Sequence, residues 1–482
     1  LALVAQAGLP VCGQAFLPAT GLSASERPRY GGTLRVQMQA FFESPDPTAE
    51  VGDSVRKAAQ GRLAELVYDR LVRLDEELRP QPQLAISWQH DAEYRQWQFR
   101  LRAGVKFHDG RPLTPSDVVR ALAEASVMKR AGNPPDRWTA RIFGETVVLE
   151  TSRPRPDFLY ELAHGHCSIF RRTPDGTLVG TGPFAVKEWE PERRALLVAN
   201  EEYWGGRPYL DAIEIQMGRS PREQMTALEL GEADVGEIPA EQVRSARQRG
   251  TRVWSSAPVE MLALQFIGQG TGSKERTPRE SLALSIDRAA MLRVLFQGQG
   301  EVADGMLPQW LSGYSFLFAR QHDLENARRL AAEASPGAIV LGYDPADPMG
   351  RPVAERVALN ARDAGLTIRV VELDRNTWPP KADWILRRIH ALAGQERMGI
   401  ADKPGTGGGE RFPLAAGAFT GEFYAEEREQ LQGVLFIPLF HLPDSFVLSA
   451  RVRSWMPAQW GQWNLADVWL AAEEKKEGGE TR

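Results

Sequence analysis

The densest run of potential metal ligands in the chain is His164-Gly165-His166-Cys167. On a strand, residues two apart share a face, so His164 and His166 would reach one ion together. The run holds no third ligand beyond them that its spacing places there. A loop or strand with polar side chains in water is therefore the expected reading, and no metal is assigned. Cys167 reads as a small buried residue, because nothing marks either histidine as its base. Two carboxylate pairs, Glu201-Glu202 and Glu426-Glu427, are adjacent and so fall on different helical faces. They read as solvated surface rather than acid–base machinery. The sequence contains neither G-x-S-x-G nor G-x-x-x-x-G-K-[ST] nor H-E-x-x-H, so large hydrolase, NTPase and zinc-protease classes lose support. Gly268-Gln269-Gly270-Thr271-Gly272 is followed by no helix in dinucleotide-binding register. Trp455, Trp460, Trp463 and Trp469 are irregularly spaced around Pro457, and packing of a C-terminal segment explains them better than ligand stacking.

Without a catalytic constellation, a large multi-domain chain leans towards a binding protein. The chain has 482 residues, which at about 150 per domain suggests roughly three domains. It carries 58 Lys+Arg against 63 Asp+Glu, a net charge of −5, without the basic excess of a nucleic-acid binder. Apolar residues at 43% and charged residues at 25% are globular values. Two cysteines, Cys12 and Cys167, are too few for a disulfide framework or a four-cysteine zinc site. The opening run to Gly21 is apolar and uncharged, with Ala5-Gln6-Ala7 as a cleavage pattern. Residues 1–30 are therefore expected to be a signal remnant and linker. Leu9-Pro10-Val11-Cys12 loosely resembles a lipoprotein box, with Val11 a poor fit.

The elements that would position any site are legible from periodicity. Thr33–Gln39 alternates as a half-buried strand, and Gln96–Arg102 does the same. A helix is expected from about Asp53 to Leu71, with Val55, Ala59, Leu63, Leu66 and Val67 at helical spacing. Thr114-Pro115-Ser116-Asp117, Ser220-Pro221-Arg222-Glu223 and Thr277-Pro278-Arg279-Glu280 each offer a hydroxyl at N-cap, Pro at N1 and an acid at N3. These are helix starts. Gly231, Gly250 and Gly365 suit helix ends. Phe184–Glu188 and Arg194–Ala199 are expected to pair around Glu190-Pro191-Glu192. Asp323 caps a helix. Ala338–Tyr343, Val353–Ala364 and Leu366–Glu372 form a strand–helix–strand unit, hence parallel sheet. Val434–Phe440 is a continuous apolar run, as in a buried strand. Gly405 to Gly409 reads as a flexible loop.

The order of segments resembles one family. Gly31-Gly32-Thr33-Leu34-Arg35-Val36 is similar to the first strand of the family 5 extracellular solute-binding proteins, the peptide- and nickel-type receptors of ABC importers. Val67-Tyr68-Asp69-Arg70-Leu71-Val72 with Leu84-Ala85-Ile86-Ser87-Trp88 resembles its next stretch. Phe99 to Gly110 (FRLRAGVKFHDG), followed by Leu113-Thr114-Pro115-Ser116-Asp117-Val118, is very close to its long signature. Gly180-Thr181-Gly182-Pro183-Phe184, Trp189, Asn200 and Tyr203-Trp204 match its later motif. Arg279, Leu282, Ile286, Asp287 and Arg288 match another, with Ser281 and Ser285 where alanine is preferred. The resemblance covers about 31–375 and resumes more loosely over 423–470.

That resemblance implies an α/β, periplasmic-binding-protein-like two-lobed fold with an extra inserted subdomain and a ligand cleft between the lobes. Core segments would be 31–55, 177–265 and 445–482, the insertion 56–176, and the second lobe 266–444. It implies an exported, non-enzymatic receptor, periplasmic or extracytoplasmic, with lipid anchoring at Cys12 as an option. The receptor would be monomeric and bind a small molecule or short peptide for a membrane ABC permease, with no cofactor and no nucleic acid. Expected ligand contacts are Glu50, Val51, Gly52, Gln265, Phe266, Trp310, Arg388 and His390. The family's peptide-binding pattern W-x-x-D-x-x-D-P is missing after Ala382-Asp383-Trp384, and the chain is short between Asp383 and Phe423. Alternatives are a metal or metal-chelate receptor, a zinc hydrolase through His164 and His166, or a sensor or chaperone without transport.

Overall fold

The structure, a computed structural model, describes residues 27–49, 54–127, 138–268, 276–374, 381–390 and 421–472. Strand Thr33–Gln37 buries Leu34 and Val36 on one face, as its alternation requires. It runs parallel to Ala212–Gln216 with Leu34 opposite Ile213 and Val36 opposite Ile215, so both apolar rows enter one core. Arg194–Ala199 and Phe184–Glu190 extend this sheet antiparallel, as expected around Glu190 to Glu192. Val235–Glu237 joins its other side, parallel to the first strand.

In the other half, Ile339–Tyr343 lies parallel to Ile368–Glu372 across helix Gly350–Asp363, the expected unit. That helix buries Val353, Ala354, Val357 and Ala361, one stripe at helical spacing. Gly365, at φ +87°, ends the helix region without the strain a side chain would bring. Trp384–His390 completes this half.

Two long strands join the halves. Arg252–Phe266 and Phe436–Leu448 pair antiparallel along most of their length. At one end, Phe436–Leu448 pairs with Val235–Glu237; toward the other end of the pair, Arg252–Phe266 pairs with Trp384–His390. The result is one eleven-stranded sheet through both lobes. Register shifts interrupt the pair between Ser255 and Pro258 and between Pro258 and Glu260. Such irregularities bend a strand pair and free local backbone.

A separate antiparallel sheet, Ala85–His90, Gln96–Leu101, Thr146–Thr151 and Trp138–Phe143 in spatial order, packs with helix Pro115–Val127. Its core is continuous with Val259, Met261, Met306 and Ile389 near the long strands.

Two of the quoted motifs meet at one buried carboxylate. Asp69 accepts hydrogen bonds from Thr181 Oγ1 (2.9 Å), Trp204 Nε1 (2.8 Å), Gln83 Nε2 (2.9 Å) and Tyr203 Oη (3.3 Å). Burial pushes its carboxyl up to about 6 against these donors. Gly182 N–H donates to the Val67 carbonyl at 3.0 Å. The expected helix to Leu71 therefore stops at Val67, spanning Ser54–Val67. A Cβ on Gly182 would stand 2.6 Å from the Val67 carbonyl carbon, and one on Gly180 would also collide with Val67.

Other expectations meet corrections. Ser220 and Glu223 form a full capping box, and Thr114 and Asp117 exchange the same bonds. The third start differs: the helix Arg276–Ser285 already contains Thr277, so Thr277 is not its cap. Glu201 and Glu202 are exposed, but Glu427 is buried and accepts from Met306 N (2.7 Å) and Tyr314 Oη (2.8 Å). Those two donors explain how a residue expected in water sits inside. His164 to Cys167 is no strand; it follows helix Phe158–Leu162 and closes as a tight helical turn, Gly165–Cys167. Trp455 and Trp463 pack the C-terminal segment onto the first core, as expected. The glycine loop at 405–409 and Cys12 lie outside the described residues.

Gly182→Ala is expected to cost more than about 2 kcal/mol of unfolding free energy through backbone collision. Gly61→Ala, in helix Ser54–Val67 with open space around its Cβ position, should gain about 0.5–1 kcal/mol. Denaturant melts of the two variants check both signs.

Candidate functional site

The register break in the long strands is where charge is buried. Asp444, on Phe436–Leu448, is paired with Arg62 from helix Ser54–Val67 and lies 3.2 Å from His390 Nε2. Its backbone N–H donates to Ser256 Oγ at 2.9 Å, from within the break itself. Arg62 also donates to the Gly461 carbonyl, at 3.2 Å. Three chain segments distant in sequence thus meet at one carboxylate. Burial alone would raise the Asp444 carboxyl; Arg62 and His390 overcome it and hold it at about 2.

Arg388 forms the neighbouring pair. Its guanidinium donates to Asp347 through Nε (3.0 Å) and Nη2 (3.2 Å), and to Glu260 through Nη1 (2.8 Å). This is the fork geometry that arginine offers carboxylates, here filled from within the chain. Burial pushes Glu260 upward, as it does Glu237 and Glu241 beside the same group of charges. Glu237 accepts from the Gln39 N–H at 2.7 Å. The carboxylates Asp347, Asp444, Glu237, Glu241 and Glu260 thus share this region with Arg62, Arg388 and His390.

On the near side of helix Ser54–Val67 an apolar recess is lined by Phe42, Pro45, Leu63, Val67, Trp189 and Ile215. The loop above it is pinned at Asp46, which accepts from Thr48 N (2.8 Å), Thr48 Oγ1 (2.6 Å) and Arg172 Nη2 (2.9 Å). Tyr68 Oη donates to the Pro45 carbonyl at 3.2 Å. This loop leads to Glu50, Val51 and Gly52, which lie outside the described residues.

The other expected contacts are placed as follows. Gln265 is buried and accepts from Arg387 Nη1 at 2.9 Å. Phe266 is in the second lobe's core, against Trp384 and under the Arg279 guanidinium. Trp310 is half-buried and donates from Nε1 to the Pro258 carbonyl at 2.7 Å, inside the register break. The structure brings Trp310, Arg388 and His390 to the long strands near the break, and sets Gln265 and Phe266 further along. Sequence reasoning missed Arg62, Glu260, Asp347 and Asp444. Two of them carried a signal: Arg62 interrupts the apolar stripe of its helix, and Asp444 interrupts an apolar strand.

Two long strands thread two α/β lobes, with a polar cluster at their register break, the architecture of the two-lobed periplasmic-binding-protein-like fold. The family model for bacterial extracellular solute-binding proteins, family 5, matches residues 79–391, and the chain belongs to that family. It is 22% identical over 318 residues to the probable D,D-dipeptide-binding periplasmic protein DdpA of Escherichia coli, covering 61% of each chain. It is 24% identical over 399 residues to the nickel-binding periplasmic protein of the same organism, covering 70% of this chain and 76% of that one. Among solved structures it resembles oligopeptide-binding AppA from Bacillus subtilis with a nonapeptide, at TM-score 0.72 and 18% identity, covering 92% of this chain and all of that one. It also resembles NikA from Brucella suis with Fe(III)-EDTA, at TM-score 0.75 and 16% identity, covering 91% of this chain and 100% of that one. These likenesses show the two-lobed fold.

The pH dependence follows from signs. Asp444 is depressed, so its contribution is complete above the ordinary carboxylate pKa and is lost as pH falls toward about 2. Asp69, and Glu65 on helix Ser54–Val67 beside Arg70, are raised to about 6 and about 7, chiefly by burial, so their cost accumulates as pH rises from the ordinary carboxylate range through those values. Stability should therefore climb as pH falls from about 7 to about 5 and decline below about 4. Glu65→Gln should flatten the first limb in thermal melts. Asp444→Asn should flatten the second and cost about 3 kcal/mol at neutral pH, because Arg62 loses its buried partner.

Proposed function

We propose that this chain is the exported receptor of an ABC importer, binding a small peptide or similar small molecule between its lobes and presenting it to a membrane permease. The observation that carries this reading is the register break in the long strand pair, with ionisable side chains gathered at it. A ligand gripped there favours one lobe arrangement, and the permease reads that population. The reading makes the protein a monomeric binder without catalysis, located in the periplasm or otherwise outside the cytoplasm. The names of its relatives support this, as periplasmic binding proteins for peptides and nickel. The DdpA match spans 61% of that relative's length. Among the described residues, no helix is long and apolar enough to cross a membrane.

The lobe allocation in this reading keeps 31–55, 177–265 and 445–482 as core, 56–176 as insertion and 266–444 as second lobe. Trp310 remains an aromatic wall, while Glu50, Val51 and Gly52 lie outside the described residues. Arg388 and His390 act through the charge cluster, their side chains engaged by Asp347, Glu260 and Asp444. The excess of carboxylates favours a ligand bearing a cationic group. A second reading, a receptor for a metal chelate, draws on the nickel-binding relative.

A thermal-shift screen separates them. Short peptides with a free amino terminus should raise the melting temperature. A ligand at a thousand times its Kd should add about 4 kcal/mol, and nickel chelates should add nothing. N-acetylated peptides should stabilise less. Stabilisation by nickel chelates alone would select the second reading, and no stabilisation by either class would overturn both.

A further inference from the structure

The turn that follows helix Phe158–Leu162 assembles something the spacing of its histidines did not disclose. Glu161, His166 and Cys167 bring a carboxylate oxygen, a ring nitrogen and a sulfur within 4.8 Å of one another. Glu161 and Cys167 are buried, and His166 is partly exposed. The helix ends at Leu162, and the tight turn Gly165–Cys167 swings the chain back so that His166 Nε2 sits 2.8 Å from Glu161 Oε1. The His164 ring stacks on that of His166, with centroids 5.6 Å apart, and is half-buried. Arg155, itself buried, reaches Glu161 Oε2 at 3.7 Å and fixes the carboxylate from behind.

Thiolate, imidazole and carboxylate together are a donor set for a borderline-soft divalent ion. A protein site with three such ligands and one further position suits tetrahedral zinc. We propose that Glu161, His166 and Cys167 bind a zinc-class ion, with His164 or water as fourth ligand. Binding releases the Cys167 thiol proton to solvent, and leaves His166 neutral. Carboxylate and thiolate together balance the ion's charge, which suits a largely buried position. The ion would brace the turn against helix Ser54–Val67, whose Gly61 backs onto Gly165, and against helix Pro115–Val127. The site is separate from the charge cluster at the bend, so it stands or falls independently of the receptor reading.

Cobalt(II) added to the metal-free full chain provides the test. Expected is a near-ultraviolet sulfur-to-cobalt band that saturates at one equivalent and is bleached by zinc. Cys12→Ser should keep the band, Cys167→Ser should abolish it, and His166→Gln should weaken cobalt binding at least tenfold. If Cys167→Ser does not fold, Glu161→Gln keeps the thiol and should weaken binding similarly, while zinc should slow alkylation of Cys167 in the unmutated protein. Absence of the band at excess cobalt overturns the proposal. So does a band that survives Cys167→Ser or disappears with Cys12→Ser. In those cases Glu161 and His166 are an ion pair of the core only.

Discussion

The pairing of Arg252–Phe266 with Phe436–Leu448 is the constraint on which the molecule turns. A buried strand must satisfy every backbone N–H and C=O, and the cheapest partner is another strand. Because this pair joins Val235–Glu237 on one side and Trp384–His390 on the other, the two halves cannot separate without breaking a shared sheet. They can only bend where the ladder is already irregular. The shifts at Ser255, Pro258 and Glu260 mark that place, and Pro258, which lacks an N–H, could not have donated there in any case. Its carbonyl instead receives the Trp310 indole N–H.

The charge cluster is a consequence of that irregularity. Ladder bonds released at the bend leave polar groups to be satisfied by side chains, and Ser256 meets the Asp444 N–H. A carboxylate buried beside them needs a counter-ion, and Arg62 supplies it from a helix more than half the chain away in sequence. Buried ion pairs add little net stability over apolar packing, but removing one member is costly. Their value here is positional. They tie the helix Ser54–Val67, the strand Trp384–His390 and the bend into one unit, so that a change in one is felt by the others.

Local order was legible where one face of an element is buried. The alternation of Leu34 and Val36, the stripe Val353–Ala361 and the capping box at Ser220 each place a residue by its own neighbours. The candidate site was legible less well, because its members are brought together by topology. Arg388 reads as a ligand contact until Asp347 and Glu260 close on it from two other elements. Glu427 reads as surface until Tyr314 and the Met306 N–H are folded against it. Thr277 shows the converse: a well-formed local signal overridden by a helix that includes it.

The later family motif serves as scaffold. Thr181, Tyr203 and Trp204, drawn from the most recognisable motifs, all donate to Asp69, and the glycines beside Thr181 exist to let the chain approach Val67. None of these groups is available to a ligand while so engaged. A signature of this kind preserves the shape of a lobe at the cost of a buried carboxylate, and leaves the cleft open to other residues.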